Sequence, residues 1–227
     1  MTITAKTAIR SILFDLDGTL CDTAPDLAYA LNTVLREVGR PELPYEVIRP
    51  QVSHGGRALT ELGFQISPEH PEFEILRHRL LEVYHENLTR HTTLFPGMAG
   101  LLDWIETQGM RWGVVTNKPA WLTEPLLAQL SLDKRAACIV SGDTTTQRKP
   151  HPEPMLFACR QLGDAAAQCL YIGDAQRDIE AGLGAGMKTL VALYGYLDQH
   201  DHPQQWGAHA MINHPEDAIS WVMLHNQ

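Results

Sequence analysis

No stretch of this sequence approaches the ~18 consecutive apolar residues that a membrane-spanning helix needs. The apolar run nearest the N-terminus, Ser11 to Leu16, is too short for a signal peptide and is interrupted by Asp15. Cysteine is scarce. Cys21, Cys138, Cys159 and Cys169 form no CxxC pair, and reduced, buried thiols in a cytoplasmic protein are expected rather than a disulfide framework. Basic residues are outnumbered, 18 Lys and Arg against 27 Asp and Glu, for a formal net charge of −9 and a pI of about 5.6. With no basic block, nucleic acid and anionic membranes are poor partners. An anionic substrate would have to be drawn by local cations or a metal rather than by the global field. Internal repeats and low-complexity segments are also missing. The 227 residues, 44% hydrophobic and 20% charged, are those of an ordinary globular protein with one core, or a core plus a small appended domain.

Several short apolar runs end in polar or glycine residues: Ser11 to Leu16, Arg111 to Val115, Ala136 to Val140, Cys169 to Ile172 and Lys188 to Leu193. Each has the length of a strand buried on both faces. Helical stripes lie between them, such as Leu101, Leu102 and Ile105, or Leu122, Leu126, Leu127 and Leu130. Strands alternating with helices predict an α/β fold, a Rossmann-like parallel sheet covered on both faces. The stretch from Asp22 to Leu94 breaks that rhythm with helical patterns alone, including Leu27, Leu31, Val34, Leu35 and Val38. The expected organisation is therefore a catalytic core of residues 1–21 and 95–227 with an inserted α-helical domain at 22–94.

The first strand runs into Asp15-Leu16-Asp17-Gly18-Thr19. In open α/β sheets ligands bind at the carboxyl ends of strands. Two carboxylates placed there repel each other unless a cation stands between them, and Mg2+ prefers such oxygen ligands. Asp17-Gly18 alone reads equally well as a simple turn. Three further strand ends change that balance. Val115 is followed by Thr116-Asn117, Ile172 by Gly173-Asp174 with Asp178 one helical turn on, and Arg148-Lys149-Pro150 supplies a cation before a helix. Two Asp, a Thr hydroxyl, a Lys and another Asp pair suit phosphoryl transfer to a carboxylate.

FDLDGTLCDTAPD, VVTNKP, KPHPEP and GDAQRD resemble the four signature motifs of the haloacid dehalogenase-like hydrolase superfamily, in the expected order and spanning the chain. The resemblance implies a covalent mechanism. Asp15 would be the nucleophile and Asp17 the general acid and base. Thr116, helped by the Asn117 amide, would bind phosphoryl oxygens, and Lys149 would balance the charge of Asp15 and phosphate. The implied cofactor is Mg2+, held by Asp15, Asp174, the backbone carbonyl of Asp17, and Asp178 directly or through water. The helical segment resembles the superfamily's mobile cap, and its Ser53-His54-Gly55-Gly56-Arg57 occupies the place of a substrate-reading loop, with Arg57 suited to a second anionic group. Asp17 separates phosphatases from the metal-free dehalogenases of the superfamily, whereas sugar phosphomutases share every motif. DTAPDL, SHGGR, LFPGM and YGY followed by WGA narrow the likeness to the phosphoglycolate phosphatase-like group, and within it to the branch acting on N-acetylmuramic acid 6-phosphate in cell-wall (peptidoglycan) recycling. Phosphoglycolate is the alternative substrate and phosphomutase activity the second alternative. The expected partner in any case is a small phosphorylated metabolite.

Other features carry blander readings. Gly182, Gly184 and Gly186 follow a helix and precede a strand, the wrong order for a dinucleotide loop. His200 and His202 lack a third metal ligand nearby and read as a surface loop, and His151 reads as a structural neighbour of Lys149. Trp104, Trp112, Trp121, Trp206 and Trp221 read as core or rim packing. Gln176 and Arg177, between Asp174 and Asp178, are candidates to touch substrate.

Overall fold

The computed structural model describes residues 7–227; residues 1–6 of the expected first core segment lie outside the described residues. Strands run in chain order β1 (Ser11–Phe14), β2 (Cys21–Asp22), β3 (Thr93–Leu94), β4 (Arg111–Val115), β5 (Cys138–Val140), β6 (Cys169–Gly173), β7 (Lys188–Ala192) and β8 (Ala210–Ile212). The helices are α1 (Ala24–Glu37), α2 (Tyr45–Ile48), α3 (Gly55–Phe64), α4 (Phe73–His85), α5 (Met98–Thr107), α6 (Ala120–Gln129), α7 (Glu153–Leu162), α8 (Gln176–Gly184) and α9 (Asp217–Asn226).

Six strands form one parallel sheet in the order β5-β4-β1-β6-β7-β8. This is the Rossmann-like architecture that the alternating runs imply. β1 carries no polar-out alternation because neither of its faces meets water. Ile12 and Phe14 join a cluster containing Leu101, Leu102 and Ile105 of α5, while Leu13 joins Met155, Ala158 and Leu162 of α7 on the other side. The chain leaves β1 toward β4 and β5, then returns to β6 on the opposite flank. The strand order thus reverses beside β1, and the crevice of such a sheet opens there. Phe14 is in register with Val114 and with Ile172, which brings the carboxyl ends of β1, β4 and β6 level.

Strand β8 has no counterpart among the sequence-predicted runs. It is a three-residue edge strand with Met211 left exposed, so no buried run announces it. Between Asp22 and Thr93 the structure is helical. The two crossings into this segment lie side by side as an antiparallel ribbon, with Cys21 opposite Leu94 and Asp22 opposite Thr93. α1 packs on α3 and α4 through an apolar stripe, and Leu31, Leu59 and Leu80 belong to the same buried cluster as Ile12 and Phe14. The helices therefore share an apolar core with the sheet rather than standing apart from it. All four cysteines are buried and none is in a disulfide. Among the described residues no helix is long and apolar enough to cross a membrane.

The entry into the helical segment is tied to its exit by Asp26, which is buried in the first turn of α1. Its carboxylate accepts hydrogen bonds from the backbone of His91 (2.9 Å) and Thr92 (2.8 Å) and from the Thr92 hydroxyl (2.8 Å). Buried donors stripped of their acceptor keep their full desolvation penalty. Asp26→Ala is expected to lower unfolding stability by about 3 kcal/mol in a denaturant titration. A loss below about 1 kcal/mol would show that these donors find other partners.

Candidate active site

Asp15 begins where β1 ends. Its backbone N–H still donates to Ile172 of β6 (2.9 Å), so the residue is fixed by the sheet itself. Its Oδ1 accepts from the Leu16 N–H (2.7 Å) and lies 2.8 Å from Lys149 Nζ. The chain then turns sharply at Gly18, whose φ of +81° favours glycine. A Cβ there would also stand 2.3 Å from the Asp174 carboxylate, so Gly18 lets the strand ends converge.

Lys149 lies in the loop between β5 and α7. Asn117, just past β4, clasps its backbone with two bonds, Nδ2 to the Lys149 carbonyl (2.9 Å) and Lys149 N–H to Oδ1 (3.1 Å). The fully buried ammonium sits 2.8 Å from Asp15, 2.7 Å from Asp178 and 2.9 Å from the Tyr171 hydroxyl. Tyr171 donates in turn to the Val115 carbonyl (2.8 Å). One lysine therefore serves two buried carboxylates, with a tyrosine steering it.

Asp15, Asp174 and Asp178 are all buried, and each offers an oxygen within 4.8 Å of the others. Burial pushes the Asp15 carboxyl toward its neutral form. The Lys149 and Arg177 charges and the hydrogen bonds from Lys149 and Leu16 outweigh it, so the net shift is downward. Asp174 goes the other way. Burial and the nearby charges of Asp178 and Asp15 push it up to about 7, against hydrogen bonds from the Tyr196 N–H and Ser53 hydroxyl. Asp178 is also raised, by burial and by Asp15. Three hard oxygen donors crowded in a buried pocket, two of them disfavoured as anions by burial and by neighbouring carboxylates, fit a divalent cation such as Mg2+.

Asp17 is held differently. Its Oδ1 accepts from Lys118 Nζ (2.8 Å) and from the Thr23 hydroxyl (2.6 Å). The Asp15 side chain faces Lys149 and the Asp17 side chain faces Lys118. Lys118 is buried and its Nζ lies 4.5 Å from the centre of the Tyr84 ring on α4. Thr116 is buried at the end of β4, with its hydroxyl accepting from the Lys118 N–H (3.2 Å).

These groups floor a cavity of about 760 Å³ between the sheet and the helical segment. Asp15, Asp17, Thr116, Asn117, Lys118, Arg148 and Arg177 line it from the sheet side. Ser53, His54, Gly55, Gly56 and Arg57 line it from the helical side, beside Phe73, Arg77, Leu81 and Tyr84. Ser53 reaches past the cavity wall, for its hydroxyl donates to Asp174 Oδ2 (2.7 Å) and its carbonyl accepts from Arg177. Arg57 is exposed and paired with Glu61 (3.1 Å). Arg148 also lines the cavity, and its side chain has no ion-pair partner among the described residues. The motif residues Asp15, Lys149, Asp174 and Asp178 thus converge at one point, and Asp17, Thr116 and Asn117 line the same cavity. Residue reasoning gave no role to Lys118, although it stands inside the VVTNKP motif, or to Tyr171 and Tyr196, whose contacts depend on tertiary approach.

Fold and site together define an open α/β enzyme whose crevice presents carboxylates, two lysines and a threonine at the switch point of the sheet. The chain belongs to the haloacid dehalogenase-like hydrolases, whose family model matches residues 12–192. It is 43% identical over 207 residues to an N-acetylmuramic acid 6-phosphate phosphatase of Pseudomonas putida, covering 91% of this chain and 93% of that one. A phosphoglycolate phosphatase of Xanthomonas campestris is 41% identical over 206 residues, covering 91% and 93%. The crystal structure of a predicted phosphoglycolate phosphatase from Haemophilus somnus superposes with a TM-score of 0.83 at 28% identity, covering 94% of this chain and 97% of that one.

The raised Asp174 has a stability consequence. The folded chain keeps its proton up to about pH 7, whereas the unfolded chain releases it near the ordinary ~3.9. Between these values the folded state binds more protons, so this position loses stability as the pH rises through that window. Asp174→Asn is expected to melt above the wild type in cation-free buffer at pH 8, with the gap closing toward pH 5. Mg2+ should raise the wild-type melting temperature more than that of the variant. A melting difference independent of pH would contradict the assignment.

Proposed function

We propose that this chain is a Mg2+-dependent phosphomonoesterase that hydrolyses N-acetylmuramic acid 6-phosphate through an aspartyl-phosphate on Asp15, in the cytoplasmic recycling of cell-wall peptidoglycan. The chain is a phosphoric monoester hydrolase. The observation that carries the finer reading is an Asp15 carboxylate held in its ionised form at the floor of a cavity of about 760 Å³.

Asp15 attacks phosphorus, and the bond from phosphorus to the sugar oxygen breaks. Asp17 gives that oxygen its proton, which requires its ion pair with Lys118 to open first. Thr116 and the Asn117 amide bind phosphoryl oxygens. Lys149 stays beside Asp15 and offsets the charge that builds as nucleophile and phosphate approach. Water then attacks the phosphorus of the intermediate, Asp17 takes its proton, and Asp15 is released with free phosphate. Asp15, Asp174 and Asp178, with the Asp17 carbonyl, would hold Mg2+, which supplies charge neutralisation between the two anions when bound.

Residues 22–94 serve as the cap and the remainder as the catalytic core. The Ser53 contact with Asp174 brings the cap down onto the sheet, so the cavity volume is not that of a gaping cleft. Pockets of some 300–1,000 Å³ suit ligands of drug size, and a two-carbon phosphate would leave most of this one to water. An amino-sugar phosphate with a lactyl side chain fits the space better. Its carboxylate matches Arg148, which has no ion-pair partner among the described residues, with Arg57 of the cap as a further candidate once it leaves Glu61.

Phosphate release should be measured with and without Mg2+ over N-acetylmuramic acid 6-phosphate, N-acetylglucosamine 6-phosphate, phosphoglycolate and glucose 6-phosphate, compared by kcat/KM. The expected result is Mg2+-dependent release with a preference of at least about tenfold for the muramic compound, the discrimination that one or two good contacts supply. A preference for phosphoglycolate would overturn the substrate assignment. Isomerised sugar phosphate without free phosphate would overturn the hydrolytic reading in favour of a mutase.

A further inference from the structure

We infer that Trp121 is the platform on which the pyranose ring of the substrate stacks, and so a specificity-determining residue; the inference rests on the sugar-phosphate reading above. Among the described residues ten large apolar side chains remain exposed, and Trp121 is the one of them that lines the active-site cavity. At 44% exposure its indole is open to a ligand, whereas the Phe73 and Tyr84 rings on the same cavity are 1% and 0% exposed and already committed to the core. Leaving an indole in water forfeits a large burial term unless something else covers it. A sugar ring is suited to that role, because its C–H face is apolar and meets the electron-rich face of the indole while its hydroxyls stay in contact with water.

The position of the ring is fixed on both sides. Trp121 is the second residue of α6, a few residues beyond Thr116, Asn117 and Lys118. The start of that helix is pinned by Ala120 N–H to Asp143 (2.8 Å) and by the Thr123 hydroxyl to the Lys118 carbonyl (3.2 Å). The same short segment therefore carries the phosphate-binding groups and the platform, and the separation between them is rigid. From the helical segment the His85 ring at the end of α4 lies 5.4 Å from the Trp121 ring, tilted by 38°. The indole thus bridges sheet and helical segment. Asp15 and Trp121 line the same cavity, so a hexose held by its 6-phosphate at Asp15 would have the indole within that cavity.

The test compares KM and kcat for N-acetylglucosamine 6-phosphate, N-acetylmuramic acid 6-phosphate and β-glycerol phosphate in the wild type, Trp121→Ala and Trp121→Phe. Removal of the platform should raise KM for both sugar phosphates about tenfold, the range of an apolar contact, with a smaller effect on kcat. It should lower the preference for sugar phosphates over β-glycerol phosphate by a similar factor, and Trp121→Phe should recover most of it. As a second readout, unphosphorylated N-acetylmuramic acid should quench tryptophan fluorescence in the wild type, and Trp121→Phe should abolish the quench. A wild type selective for sugar phosphates whose selectivity survives Trp121→Ala overturns the platform alone. A wild type with no such selectivity overturns the sugar-phosphate reading and the platform with it.

Discussion

The structure depends on how charge is balanced at the carboxyl end of β1. Asp15, Asp174 and Asp178 are buried within reach of one another, and among the described residues Lys149 and Arg177 are the cations set against them. Two cations cannot keep three crowded carboxylates ionised, and the shortfall is visible in Asp174, pushed up to about 7 by burial and by its neighbours. Asp15, which has the Leu16 N–H as well as the Lys149 and Arg177 charges, is the one held below its ordinary value. The site therefore sorts its acids. Asp15 keeps its charge most readily, as the proposed nucleophile must, and Asp174 and Asp178 offer oxygens suited to a divalent cation. The parallel sheet makes the crowding possible by bringing three strand ends level, and Gly18 by leaving room where any side chain would strike Asp174.

The helical segment is tied into the same balance. Ser53 donates to Asp174, Arg177 donates to the Ser53 carbonyl, and Tyr84 lies against the lysine that pairs with Asp17. Movement of the helices away from the sheet would break each of these contacts. Closure and the state of the acids are thus linked through named hydrogen bonds rather than through shape alone.

Much of this was legible from residue order. Runs such as Arg111 to Val115 and Lys188 to Leu193 announce buried strands because their apolar residues are consecutive rather than alternating, and Asp15, Thr116 and Asp174 are conspicuous as polar residues placed where such runs stop. Lys149 stands out as a cation beside two prolines at a helix start. What stayed hidden depends on approach in space. Lys118 lies within a motif, yet nothing in its neighbours says that its ammonium turns to Asp17, 101 positions away. Ser53 looks like part of a flexible glycine loop until its hydroxyl is seen on Asp174. Trp121 reads as packing, since exposure is not written in the residue itself. β8 has three residues and one exposed side, too little for a periodicity to show.

The central claim is that Asp15 carries the phosphoryl group. The most direct measurement is a single turnover with substrate labelled at phosphorus, quenched in acid within the turnover time, followed by peptide mapping. The account predicts acid-stable, hydroxylamine-labile label on the peptide containing Asp15, absent from Asp15→Asn protein that is folded and still binds substrate. Label on another peptide, its persistence in Asp15→Asn, or free phosphate released at full rate with no labelled protein at any quench time would contradict it.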